Sequence, residues 1–231
     1  MRMNHIYRAL GFSSAVSIGL LFTRMVSFQD LDYWYLAWNL FLAWIPLFFA
    51  VLIVATLKKH LWLSWQCLLL TALWLTFLPN SFYIATDFIH LQEAGASTLL
   101  YDVVLLLSFT LNGFMLGYLS VVALHDQLLK RIQRSYANYL IGVVFLLCSF
   151  AIYLGRYLRW NTWDILLNPA GILFDVSDRL INPSAYEQTF TTTIIFFVLI
   201  STFYYVGWQI YSSLNDIDKH HRSKKVANSS K

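Results

Sequence analysis

Charge is what this chain has least of. Asp, Glu, Lys and Arg make up only 12% of its 231 residues, whereas soluble domains carry about a quarter. Hydrophobic residues make up 58%, and the mean hydropathy is +0.58. Those values exclude an ordinary water-soluble domain. Cysteine is also scarce, and Cys67 and Cys148 both fall inside apolar runs, where they act as small apolar side chains. No disulfide framework follows, and no redox compartment. The runs hold few ionisable groups, Arg24 and Asp102 both lie near run ends, and no internal repeat is visible. A secondary transporter is expected to show ionisable groups deep in its spans and an internal repeat, so these absences weigh against one.

What the chain does have is six long apolar runs, near residues 9–26, 35–57, 61–78, 99–124, 136–155 and 189–211. A bilayer core of about 30 Å takes about 20 helical residues to cross, and only helices or closed barrels satisfy their backbone groups there. These runs are too long for barrel strands. The expected fold is therefore all-α, a polytopic transmembrane helical bundle of about six spans forming a single domain over residues 1–215. Residues 216–231 are polar, basic and rich in Ser and Asn, and are expected to form a disordered cytoplasmic tail touching lipid headgroups. A cleaved signal peptide is the rival reading of the first run, since Arg2 and Arg8 precede it. Arg24, Met25 and Val26 stand where small residues would mark a cleavage site, which favours an uncleaved anchor.

The basic residues set an orientation. Of the 16 Lys and Arg, all but Arg24, Arg156, Arg159 and Arg179 fall in the termini or the alternate gaps around Lys58–Lys59 and Lys130–Arg134. By the positive-inside rule those gaps and both termini are cytoplasmic, in a multi-pass protein of the cell membrane. Asp30, Asp32, Asp87, Glu93, Asp164, Asp175, Asp178 and Glu187 lie in the opposite, outer gaps. Membrane topology thus accounts for the net charge of +4, and no nucleic-acid partner is expected. Tyr33, Trp34, Tyr35, Trp38, Trp62, Trp65 and Trp208 sit at span edges, as aromatic belts do, while Trp44 and Trp74 lie deeper as packing residues. In the last outer gap, Asp175, Asp178, Arg179 and Asn182 repeat at helical spacing opposite Ile172, Leu173, Val176 and Leu180. That pattern predicts an interfacial amphipathic helix, punctuated by Asn168-Pro169 and Asn182-Pro183.

Two polar stretches could carry chemistry. In the first, Pro79 is expected to end the third span, with Asn80 or Ser81 capping a further helical turn. Steps of four and three then place Tyr83, Asp87 and His90 on one face. Asp87 and His90 are candidates for acid/base work, against the plainer reading of an interfacial helix with a wetted side. Zinc needs at least three protein ligands and His90 is the one outward-facing histidine by this topology, so no metal is expected and no cofactor. Asp102 meets the positive end of the fourth helix. Gly113 and Gly117 form a G-x-x-x-G, whose first reading is close helix packing and whose second is a helix–helix partner. Asn112 beside them is expected to bond to a neighbouring helix.

The second stretch runs from Gly155 to Asp164 and holds Arg156, Arg159, Asn161 and Asp164. Arginines on the outer side go against the topology rule. Two guanidinium forks at headgroup level can hold a phosphate or carboxylate, or they can pair with Asp87, Asp102 or Asp164, or snorkel to the interface. The two motifs, both starting where a span exits, are expected to converge.

Pro79-Asn80, Tyr83, Thr86-Asp87, His90, Tyr101-Asp102, Gly155-Arg156, Arg159-Trp160-Asn161 and Trp163-Asp164 together resemble the bacterial multi-pass membrane family called domain of unknown function 1361. The resemblance covers roughly residues 62–169; Ser81 and Phe82 depart from its small residue and frequent proline. It implies a membrane fold and no mechanism. Three functions stay open. The first is a membrane-surface protein that binds or processes an anionic lipid or lipid-linked substrate, using Asp87, His90, Tyr83, Asp102, Arg156, Arg159, Asn161 and Asp164. The second is a transporter or ligand-binding protein, and the third is a structural or assembly partner. Membrane lipids are the expected surroundings, and the sequence names no reaction.

Overall fold

The six apolar runs fold as helices because nothing within them but Pro46 and Pro79 breaks the backbone pattern. The computed structural model describes the backbone of residues 2–92, 95 and 97–229, and the side chains of residues 5–92, 95 and 97–214. Glu93 and the side chains of Arg2 and of the basic residues from Lys219 onward lie outside the described residues. Among those described, the elements are α1 (Arg2–Phe28), α2 (Tyr35–Thr56), α3 (Trp65–Tyr83), a 3₁₀ segment (Ile84–Gln92) and α4 (Leu99–Leu129). They continue with α5 (Arg134–Tyr157), the single turn α6 (Asp164–Leu167), α7 (Pro169–Ile181), a 3₁₀ turn (Pro183–Ala185) and α8 (Glu187–Ser229). Six of the helices are long and apolar enough to cross a membrane.

α4 is the hub, packed by α1, α2, α3 and α5, while α8 packs mainly on α5 and reaches α4 through side chains such as Tyr204 on His125 and Tyr211 on Asp126. α1, α3 and α5 end, and α2, α4 and α8 begin, at one end of the bundle, called the site end below. At Gly113 and Gly117 α4 presents no side chain to α3, which lets the two backbones approach closely. A Cβ on Gly117 would lie 2.8 Å from Phe82 Cζ and from Ser81 Cβ, and one on Gly113 would overlap the Ser81 carbonyl oxygen. The close approach expected of the G-x-x-x-G is therefore made within the chain, and α3 occupies that face.

Polar side chains within the spans tie helix to helix, which lipid cannot do for them. Asn112 of α4 donates to Ser17 Oγ of α1 at 2.9 Å, as a lone amide at that depth is expected to do. Trp44 donates to Ser14 at 3.2 Å and Trp74 to Ser120 at 3.2 Å, so both deep tryptophans are packing residues with a satisfied N–H. Such interhelical bonds each contribute about 0.6 kcal/mol in membranes.

The structure departs from the sequence expectations in two places. Pro79 does not end α3, which runs through it to Tyr83; Asn80, instead of capping a new turn, donates from Nδ2 to the Phe77 carbonyl at 3.0 Å. A proline costs a helix less where a neighbouring side chain and a packed partner helix satisfy the freed groups. α8 likewise continues unbroken to Ser229, where a disordered tail was expected from Asp216.

The predicted amphipathic segment is α7. Asn168 caps it, accepting from Gly171 N–H at 3.1 Å, and Pro169 takes the first helical position, where a missing N–H costs nothing. Its polar side turns toward the protein: Arg179 is buried and reaches the Tyr153 hydroxyl, and Asp175 accepts from Trp160 Nε1 at 2.7 Å. Leu173, Phe174, Leu180 and Ile181 are left exposed.

Candidate functional site

The site is built where α3 gives way to the 3₁₀ segment. At three residues per turn, side chains three apart eclipse one another, so Ile84, Asp87 and His90 stand in one row facing the bundle. Nine residues is long for a 3₁₀ helix, and such runs often mark functional segments. Ile84 is buried against α4, Asp87 is 1% exposed, and His90 emerges at the rim.

A buried carboxylate needs partners, and Asp87 has two. Asn39 of α2 donates to Oδ2 at 3.0 Å, and Arg156 of α5 donates to Oδ1 at 3.3 Å. The other arm of Arg156 lies 3.3 Å from His90 Nε2. A guanidinium can only donate, so in this contact Nε2 is the acceptor. The Tyr35 ring packs on His90, with centroids 5.4 Å apart. Arg156 is thus held by two successive members of the 3₁₀ row, Asp87 and His90.

Three residues after Arg156 the chain turns sharply. Arg159 has φ = 60°, the left-handed region that favours glycine, and Trp160 N–H reaches back to the Leu154 carbonyl at 3.2 Å. A non-glycine residue there costs about 1–3 kcal/mol, an expense found most often at functional segments. The turn exposes the Arg159 side chain, which has no hydrogen bond or ion pair among the described residues. Beyond it, Asp164 accepts from Asn161 N–H at 2.7 Å and closes the next turn, while Asn80 donates to Thr162 Oγ1 at 3.0 Å and stitches the turn to α3.

The result is a cleft of ≈ 530 Å³ lined by Tyr83, Ile89, His90, Gln92, Gly155, Arg156, Arg159 and Asn161. Of the eight residues picked from the sequence, it gathers Tyr83, His90, Arg156, Arg159 and Asn161. Asp87 lies directly behind, under Arg156. Asp164 supports the turn without lining the cleft. Asp102 is elsewhere: fully buried in α4, it accepts from Arg24 Nε of α1 at 3.1 Å, and Arg24 also holds Asp30 at 2.7 Å. Those two contacts, with Tyr33 stacked 4.5 Å from the guanidinium, bind α1 to the bundle rather than forming part of the cleft.

Asn39 is the participant that sequence reasoning missed, although the signal was present, since it is the one amide inside the otherwise apolar α2. Gly155, which the sequence placed at the head of the second stretch without a role, stands where a Cβ would come within 3.2 Å of the Tyr83 ring. Among the described residues no group of three or more metal-ligating side chains clusters.

The family model described as protein of unknown function (DUF1361) matches residues 38–225, most of the chain. The chain belongs to that family. No curated protein and no solved structure matches it. The DUF1361 match begins one residue before Asn39 and takes in the whole cleft, while α1 with Arg24 stays outside it.

Proposed function

We propose that this DUF1361 protein is a multi-pass protein of the cell membrane whose cleft binds an anionic headgroup, of a lipid or lipid-linked molecule, at the outer face. The observation that carries this reading is the imbalance of charge in the cleft. Two guanidinium groups and an imidazole line it, and the nearest carboxylate among the described residues, Asp87, is buried beneath Arg156. Asp87 then acts as a positioning residue for Arg156, and Arg159 is left to engage a ligand. His90 is the one cleft-lining group able to exchange a proton near neutral pH, so proton transfer to a bound headgroup would fall to it. The outward orientation is supported by the basic residues at the opposite end of the bundle.

The test is thermal unfolding of the purified protein with phosphatidic acid or phosphatidylcholine added. The anionic lipid should raise the melting temperature, by an amount equivalent to about 2.7 kcal/mol at a hundredfold excess over Kd. Phosphatidylcholine should not. Arg159→Gln should lose the effect, and Arg131→Gln, at the other end, should keep it. Equal shifts from both lipids, or a full shift in Arg159→Gln, would remove the proposal.

A further inference from the structure

A second chamber of ≈ 250 Å³ adjoins the cationic cleft and shares three of its walls, Tyr83, Gly155 and Asn161. Where the first is mostly polar, this one is mixed: Trp38, Leu42, Trp160, Trp163, Ile165 and Ile172 make an apolar side, and Asn39, Asn80 and Thr162 a polar one. Gly155 keeps the boundary thin, since any side chain there would be driven into the Tyr83 ring. At the chamber's rim, Trp38 and Ile165 are 46% and 45% exposed. Trp38 lies within the first turn of a membrane-spanning helix, so the rim stands at the bilayer edge. The neighbouring Leu166, Leu167, Leu173 and Phe174 are exposed as well, an apolar surface that needs lipid around it.

The geometry points to a lateral entry: we infer that the chamber takes the hydrocarbon chain of a membrane lipid whose anionic headgroup sits in the Arg156–Arg159 cleft. The inference rests on the headgroup reading above and adds to it that the ligand arrives from the bilayer and keeps a chain there. Continuity decides the occupant. A water-borne anion would use the cationic cleft alone and leave the tryptophan- and isoleucine-lined side of the chamber, which opens at the bilayer edge, with no role, whereas a phospholipid presents a charged and an apolar part in the same juxtaposition. The lipid tail gains little free energy on leaving other tails, so the chamber selects by shape and position rather than by burial.

The experiment is photo-crosslinking in nanodiscs with phosphatidic acid bearing a diazirine in its acyl chain, followed by peptide mapping. The zwitterionic phosphatidylcholine analogue serves as a control, and glycerol 3-phosphate is the chain-free ligand, read by melting shift. Label from the anionic probe should concentrate on residues 38–42 and 163–172 and exceed that from the zwitterionic probe several-fold. Thr76→Phe and Ala151→Phe, each filling the chamber from a different helix, should abolish that excess while leaving the glycerol 3-phosphate shift intact. If glycerol 3-phosphate shifts the melt but the anionic probe labels the lipid-facing helices evenly, the chain chamber is wrong and the headgroup site stands. If neither anion is bound, both fall. Excess labelling that persists in both filled variants would also overturn the chamber.

Discussion

Arg156 of α5 reaches Asp87 of the 3₁₀ segment at 3.3 Å, joining two polar stretches 69 residues apart in the chain. Asp87 has a 2% exposed side chain, so it is shut off from water if Arg156 is removed, and Arg156, 18% exposed at the cleft, loses its Asp87 partner in the reverse change.

The pair should therefore behave as a coupled unit. Asp87→Ala and Arg156→Ala are each expected to lower stability in detergent by about 3 kcal/mol, because each strands a charge. The double variant should lose less than the sum, with a coupling of about 1–3 kcal/mol. Additive losses in a thermal-melt cycle would show that the two side chains do not interact.

Arg24 is a second buried charge, 5% exposed and shared between Asp102 and Asp30. Arg24→Leu should be more damaging than Arg24→Leu combined with Asp102→Leu, since the double change leaves no buried carboxylate orphaned and Asp30 is exposed enough to be hydrated. The Arg24 hydrogen bond also holds the Asp30 carboxyl below its ordinary range. A depressed carboxyl stabilises the fold above its unfolded-state value and loses that contribution as pH falls through the folded one. The stability gap between the protein and Asp30→Asn should accordingly be open at neutral pH and close in acid, as melts across pH would record.

The glycines of α4 and α5 should separate cleanly. Gly117→Ala puts a methyl group 2.8 Å from Phe82 and Ser81, which predicts a loss of about 1–3 kcal/mol. Gly142→Ala meets nothing within 4 Å and should gain about 0.5–1 kcal/mol from helix propensity. Melts of the two variants, side by side, read this directly.

Orientation is checked by single cysteines in intact cells. A probe that cannot cross the membrane should label positions 32, 95 and 175 and spare 59 and 132. The reverse pattern would turn the bundle over and move the cleft to the cytoplasm.

The six spans could be read from sequence because length and hydropathy alone decide what a bilayer accepts, and α7 because Asn168, Pro169 and the apolar stripe signal both its start and its face. The convergence of the two motifs was legible from a cost argument, since polar groups at two adjacent helix exits must find each other. The partner of each charge was not. Asp102 pairs with Arg24 and Asp87 with Arg156 because α1 packs on α4 whereas α5 packs on α3, and periodicity carries no information about helix order in space. Pro79 misled for a related reason. Its local rule stops a helix in water, but in α3 packing against α2, α4 and α5 prevails.

The most direct measurement is an experimental density map of the protein in nanodiscs that contain phosphatidic acid. The headgroup-binding account predicts a phosphate-sized feature within hydrogen-bond reach, about 3 Å, of both the Arg156 and Arg159 guanidinium groups. That feature should be missing from nanodiscs of phosphatidylcholine alone. An empty cleft in both preparations, or ordered anionic lipid only at the opposite end around Lys58 and Arg131, would contradict it.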